Sequence, residues 1–208
     1  MDRRKLIRKI IIYSVYILLL SSLQVSYPNR LGFDGQTADL AFVFVVLTGY
    51  FNGFVDGAVV GLIMGIVRDC LAPIAAIGFD GTVHVTAGIG MLVLFLTGVL
   101  SSSFFTKRMH RNIPFAFVSI AFCTLVYKAA GHFLAYSWTV LAPAAGSYEL
   151  GFYEIVVRSC LLQTLLNIIA GVPLLILMRF AGPVSLSELR KSSDDVIKNN
   201  EDASWLQI

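Results

Sequence analysis

The chain has 208 residues, a formal net charge of +3, 14% charged residues and 57% apolar or aromatic ones, with a mean hydropathy of +0.77. A soluble domain carries about 25% charged residues, so this composition excludes an ordinary soluble fold and offers no basic surface for nucleic acid. It points to a polytopic membrane protein with room for five or six spans and no separate soluble domain.

The chain opens on Arg3, Arg4, Lys5, Arg8 and Lys9, followed by an apolar run to Leu23. This imitates a signal peptide, but no small-residue cleavage site follows, and an uncleaved first span is expected. Further apolar segments are expected at 38–51, 53–71, 81–105, 113–138 and 152–180, after a first at 7–23. The region 38–71 reads either as one helix or as a tight hairpin. One helix would run about 50 Å, against a hydrocarbon core of about 30 Å. The cationic clusters decide between them. Lys107, Arg108 and Arg111 follow the fourth segment, and Arg190 and Lys191 follow the last. They share the cytoplasm with the N-terminus only if 38–71 is a hairpin. The expectation is therefore six spans with both termini cytoplasmic and outer loops at 25–37, 72–80 and 139–151. Arg68, near an outer end, dissents. Tyr136, Trp138, Tyr148 and Tyr153 suit an interfacial aromatic belt. The second span is short and should be sheltered by protein, untilted or flanked by thinned lipid.

From Pro183 the composition turns polar. Ser185 and Glu188 have capping-box spacing for a short cytosolic helix, and the rest reads as a solvated tail. The domain division is thus a transmembrane unit at 1–182 and a cytosolic tail at 183–208. Cys70, Cys123 and Cys160 have no metal-ligand spacing and read as core residues without a disulfide.

Gly53, Gly57, Gly61 and Gly65 recur at four-residue spacing, with Asp69 next in the series. On a helix they fall on nearly one face and let another helix approach closely, the means by which helices associate in lipid. The neighbour is a helix of the same chain, the preferred reading, or one from another protein.

Ionisable groups within spans are functional candidates by default. Asp39 opens the second span, and Asp56 lies early in the third. Lys128 and His132 are four apart on the fifth. Glu154 and Arg158, then Gln163 and Asn167, keep four-residue spacing on the sixth. One reading is a polar cavity between the last two helices lined by Lys128, His132, Glu154, Arg158, Gln163 and Asn167. The plainer and preferred one is polar glue: Glu154 pairs Arg158, and Gln163 and Asn167 bond to a neighbouring helix. Lys128 needs a specific partner or water at that depth. No G-x-S-x-G, H-E-x-x-H or glycine-rich phosphate loop is present. The three histidines form no evident catalytic pair. No enzymatic activity, cofactor or metal is expected.

Leu23-Gln24 ends the first span, and Ala38-Asp39-Leu40 heads the second. G-x-x-x-G-L-x-x-G-x-x-x-D follows as Gly57, Gly61, Leu62, Gly65 and Asp69, then a turn with Gly78. In order and spacing this resembles MreD, the rod shape-determining integral membrane protein family of bacteria, over about residues 10 to 181. The family often has Pro-Asp-Leu where this chain has Ala38-Asp39-Leu40. The resemblance implies a non-enzymatic scaffold of the cell-elongation and peptidoglycan-synthesis machinery in the inner membrane. It implies partnership with MreC, RodA, a class B penicillin-binding protein and MreB. It also implies an all-α, six-helix bundle similar to the S components of energy-coupling-factor transporters. The alternative function is accordingly a substrate-binding subunit of a small-molecule transporter.

Overall fold

A computed structural model describes residues 3–26, 32–33, 36–71, 74–77, 83–86, 88–105, 113–141 and 154–182. Among them are six α-helices: α1 (Arg3–Ser26), α2 (Leu40–Asn52), α3 (Phe54–Leu71), α4 (Ile89–Phe105), α5 (Ile113–Leu141) and α6 (Leu162–Ala181). A π-helical stretch, Glu154–Leu161, runs directly into α6. Two short antiparallel ribbons complete the described chain. One pairs β1 (Gly32–Phe33) with β2 (Gln36–Thr37), Phe33 opposite Gln36. The other pairs β3 (Ile74–Ile77) with β4 (Val83–Thr86), Ala75 opposite Val85.

The region 38–71 folds as a hairpin. Gly53 alone joins α2 to α3, at φ 95° and ψ −175°, a conformation essentially confined to glycine. The turn brings the last part of α3 back to the head of α2, where Arg68 reaches Asp39. At the other end of the hairpin Lys9 and Tyr13 of α1 reach Asp56. Tyr16 donates to the carbonyl of Ala181 at the end of α6. Gln24, near the end of α1, meets the head of α2. The start of α1, the joint at Gly53 and the end of α6 therefore share one end of the bundle.

α2 is the axis of the molecule. Every residue from Leu40 to Phe51 is buried, so this helix is apolar all round because protein surrounds it. Tyr16 stacks on Phe44 at 5.1 Å between ring centroids, and Tyr127 packs on Phe42 at 5.4 Å. The outer faces are apolar as well: Leu18 of α1, Val55 of α3, Val118 of α5 and Ile169 of α6 are each more than half exposed. A soluble monomer does not display such a girdle, whereas a lipid-facing surface requires one. Among the described residues three helices are long and apolar enough to cross a membrane, at Leu6–Ser26, Ile113–Phe133 and Ser159–Ala181, while Leu40–Asn52 and Gly90–Ser103 are shorter apolar helices.

The boundary that differs most from expectation is the start of α4. The fourth helix begins at Ile89, not at residue 81, because 83–86 is strand. Val83, Val85 and Thr86 are β-branched and suit a pleated pair. They are also apolar enough to merge with a following span when hydropathy alone is read.

Candidate functional site

The glycine run forms a seam between α3 and α4. A Cβ added to Gly57 would stand 2.6 Å from the carbonyl oxygen of Gly98 and 2.7 Å from Cα of Gly49. One on Gly61 would meet the backbone of Leu94, and one on Gly65 would lie 2.8 Å from the carbonyl oxygen of Gly90. These obstacles are backbone, which cannot rotate away. Three helices thus meet at Gly49, Gly57 and Gly98. Gly53 stands outside the seam, as the joint between α2 and α3. The sequence pattern groups it with the others by spacing, but the helix has not begun there.

Asp69 closes the seam. Its carboxylate accepts from the backbone N–H groups of Gly88 (2.8 Å), Gly90 (3.1 Å) and Met91 (3.1 Å). It satisfies the otherwise unpaired amides at the start of α4 and places a negative charge at the positive end of that helix.

A second carboxylate organises the head of α2. Asp39 Oδ1 accepts from the N–H of Phe42 at 3.0 Å, the N-cap bond. Its Oδ2 accepts from Arg68 Nη1 at 2.8 Å. The segment that bears it is clamped on every side. Gln24 donates to the Ala38 carbonyl (3.2 Å) and accepts from the Leu40 N–H (2.9 Å). Asn167 Oδ1 accepts from the Asp39 N–H at 2.9 Å. Gln163 donates to the Thr37 carbonyl at 2.6 Å. Asn167 Nδ2 donates on to Thr124 Oγ1 of α5 at 3.1 Å. Side chains of α1 and α6 thereby hold the backbone at the start of α2, α3 holds the Asp39 carboxylate, and α5 joins through Asn167. Non-helical backbone within a bundle persists only with such partners.

A third cluster lies at the opposite end. Lys9 pairs with Asp56, Tyr13 donates to Asp56 at 3.2 Å, and Asn52 donates to the Tyr13 hydroxyl at 2.7 Å. Sequence reading singled out Asp56 but not its partners. The basic residues of the N-terminus look like topology signals, and nothing local marks Lys9 as an ion-pair partner.

The six residues proposed for a polar cavity are distributed differently from one another. Gln163 and Asn167 are buried in the α2 clamp, donating to a neighbouring segment and helix. Lys128 donates to Gln36 Oε1 at 3.3 Å. His132 Nε2 lies 2.9 Å from Ser159 Oγ. Glu154 and Arg158 have described backbone in the π-helical stretch, but their side chains lie outside the described residues. So do the side chains of Tyr136 and Trp138, and residues 183–208, Tyr148 and Tyr153 altogether. The three cysteines are free; Cys123 and Cys160 are buried as expected of core residues, whereas Cys70, also expected in the core, is exposed near the end of α3.

Apolar-sheathed helices around a buried central helix, with polar side chains gathered about the two ends of that helix, define an all-α membrane protein. Comparison with models of protein families, with curated proteins and with solved structures gives no match for this chain.

Proposed function

We propose that the chain is a membrane scaffold of the bacterial cell-elongation machinery, similar to MreD. In this reading all six helices cross the inner membrane, both termini are cytoplasmic, and the Asp39 end faces outward. MreC is the principal partner, with RodA, a class B penicillin-binding protein and MreB in the same assembly. The carrying observation is the use to which the motif is put. The glycines of G-x-x-x-G-L-x-x-G-x-x-x-D are consumed within the bundle, and its aspartate caps the next helix. A motif spent on a rigid interior supports a scaffold. The outer faces of α1, α3 and α6 are left to lipid and partner helices.

Recognition would then be lateral, by packing of helices in lipid. The test is in-cell photocrosslinking from Leu18, Val55 and Ile169, which are exposed on α1, α3 and α6, with captured proteins identified by mass spectrometry. MreC captured from at least one face supports the reading. Capture of lipid alone from all three, with MreC present in the cell, overturns it.

A further inference from the structure

The depth of the α2 head leaves one cation in an unusual place. α2 is 13 residues long, about 20 Å. From the level of Lys128, α5 runs on to Leu141, another 20 Å or so at 1.5 Å per residue. The π-helical stretch extends α6 in the same direction. The hairpin of α5 and α6 therefore rises beyond the head of α2, and β2, which leads into that head, lies against its flank. Gln36 and Thr37 of β2 are half-buried, so the polar ribbon is neither sealed in the core nor fully outside.

Lys128 points to this ribbon. Its ammonium is bonded to a neutral amide, Gln36 Oε1. The described carboxylates at this end are both engaged, Asp39 by Arg68 and the Phe42 amide, Asp69 by three amides of α4. One turn along α5, His132 meets Ser159, which belongs to the π-helical stretch. π-Helical turns are rare and concentrate at functional sites. Among the described residues the ammonium bonds an amide and no carboxylate, Asp39 acting on it only at a distance, where such a position calls for a close countercharge. The amide Nε2 of Gln36 lies next to the oxygen that Lys128 holds and can donate to an oxyanion together with the ammonium.

We propose that Lys128 and the Gln36 amide, beside the His132–Ser159 pair, form an oxyanion site at the Asp39 end of the bundle that takes a phosphate group. The phosphate is carried either by an anionic lipid headgroup, reaching in between α5 and the β1–β2 ribbon, or by a small solute. The ammonium supplies the charge, and the surrounding donors set orientation. The site lies away from the glycine seam and is independent of the scaffold reading.

The test uses the full-length protein in neutral maltoside detergent, wild type and Lys128→Gln. In the lipid arm, phosphatidylglycerol is added and retained adducts are counted by native mass spectrometry. In the solute arm, inorganic phosphate is titrated calorimetrically. Binding in either arm that falls about tenfold in Lys128→Gln, the scale of one charge-assisted hydrogen bond, supports the site, and the arm that responds names the source. Because the variant could misfold, a third measurement uses wild type alone: amine acetylation of Lys128, read by mass spectrometry, with and without each probe. Protection by a probe supports the site. Absence of protection by both, or binding unchanged in a folded Lys128→Gln, overturns it.

Discussion

Asp39 does two jobs with two oxygens, and substitutions can separate them. One oxygen caps α2 and the other holds Arg68. Asn is as good a cap as Asp but carries no charge. Asp39→Asn should therefore keep the helix start and lose the ion pair. The cost expected is about 2–3 kcal/mol, at the low end for a buried pair because Arg68 is partly exposed. Asp39→Ala loses the cap too and should cost about 1 kcal/mol more. Thermal unfolding in detergent orders the variants. If the pair acts as a unit, Asp39→Asn combined with Arg68→Gln is less harmful than the sum of the two. Equal unfolding temperatures for Asp39→Asn and wild type would show that the pair contributes nothing. Arg68 is also where sequence reading is weakest. Asp69 is its neighbour in sequence, yet its partner lies 29 positions away, and only the folding back of α3 at Gly53 creates that proximity.

At the scale of elements, the seam and the surface make opposite demands on glycine. Gly61 meets the Leu94 backbone, whereas a Cβ at Gly131 of α5 meets nothing within 4 Å. Gly131→Ala should be neutral or stabilising by up to about 1 kcal/mol, from helix propensity. Gly61→Ala must move α4 away from α3 and should cost about 2–3 kcal/mol, the range of overpacked cores. Gly61→Leu should prevent folding, and under the scaffold reading it also abolishes MreC pull-down and rod shape. A matched thermal-unfolding series checks this; equal stability of Gly61→Ala and Gly131→Ala would refute the seam. The glycines were legible because a four-residue period is a local property and any helix expresses it. The hairpin at 52–53 was legible from length against bilayer thickness together with the placement of the cationic clusters. The start of α4 was not, because β-branched apolar residues satisfy a hydropathy window as well as a strand. Nor was the clamp around Asp39 legible as a unit. Gln163 and Asn167 advertise polar glue by their spacing, but Gln24, in the first span, gives no sign that the same backbone groups will be its own, nor Thr124 that it will receive the Asn167 amide.

For the whole molecule, the decisive question is how far the α2–α3 hairpin reaches. α2 spans only about 20 Å, against a hydrocarbon core of about 30 Å. A hairpin that stops inside the bilayer and one that crosses it leave Lys107 on the same side, so a reporter placed after Arg111 tests the sidedness of that loop but not the number of crossings. The joint itself distinguishes them. It lies level with Lys9, which pairs with Asp56 two residues past Phe54. Lys9 belongs to the basic start of the chain, and such residues lie at the cytoplasmic interface. The joint is therefore expected to reach that interface, the local bilayer thinning or the other helices tilting to accommodate the short span. Phe54 is more than half exposed, so Phe54→Cys in a variant lacking Cys70, Cys123 and Cys160 reports the joint. A membrane-permeant maleimide should label it and an impermeant one should not. Lys107→Cys should behave in the same way, and Asp80→Cys should label with both. Resistance of Phe54→Cys to both reagents, with the other two positions behaving as expected, would mean that the hairpin ends within lipid. The chain would then cross four times rather than six, and the Lys9–Asp56 pair would be a buried anchor rather than an interfacial one.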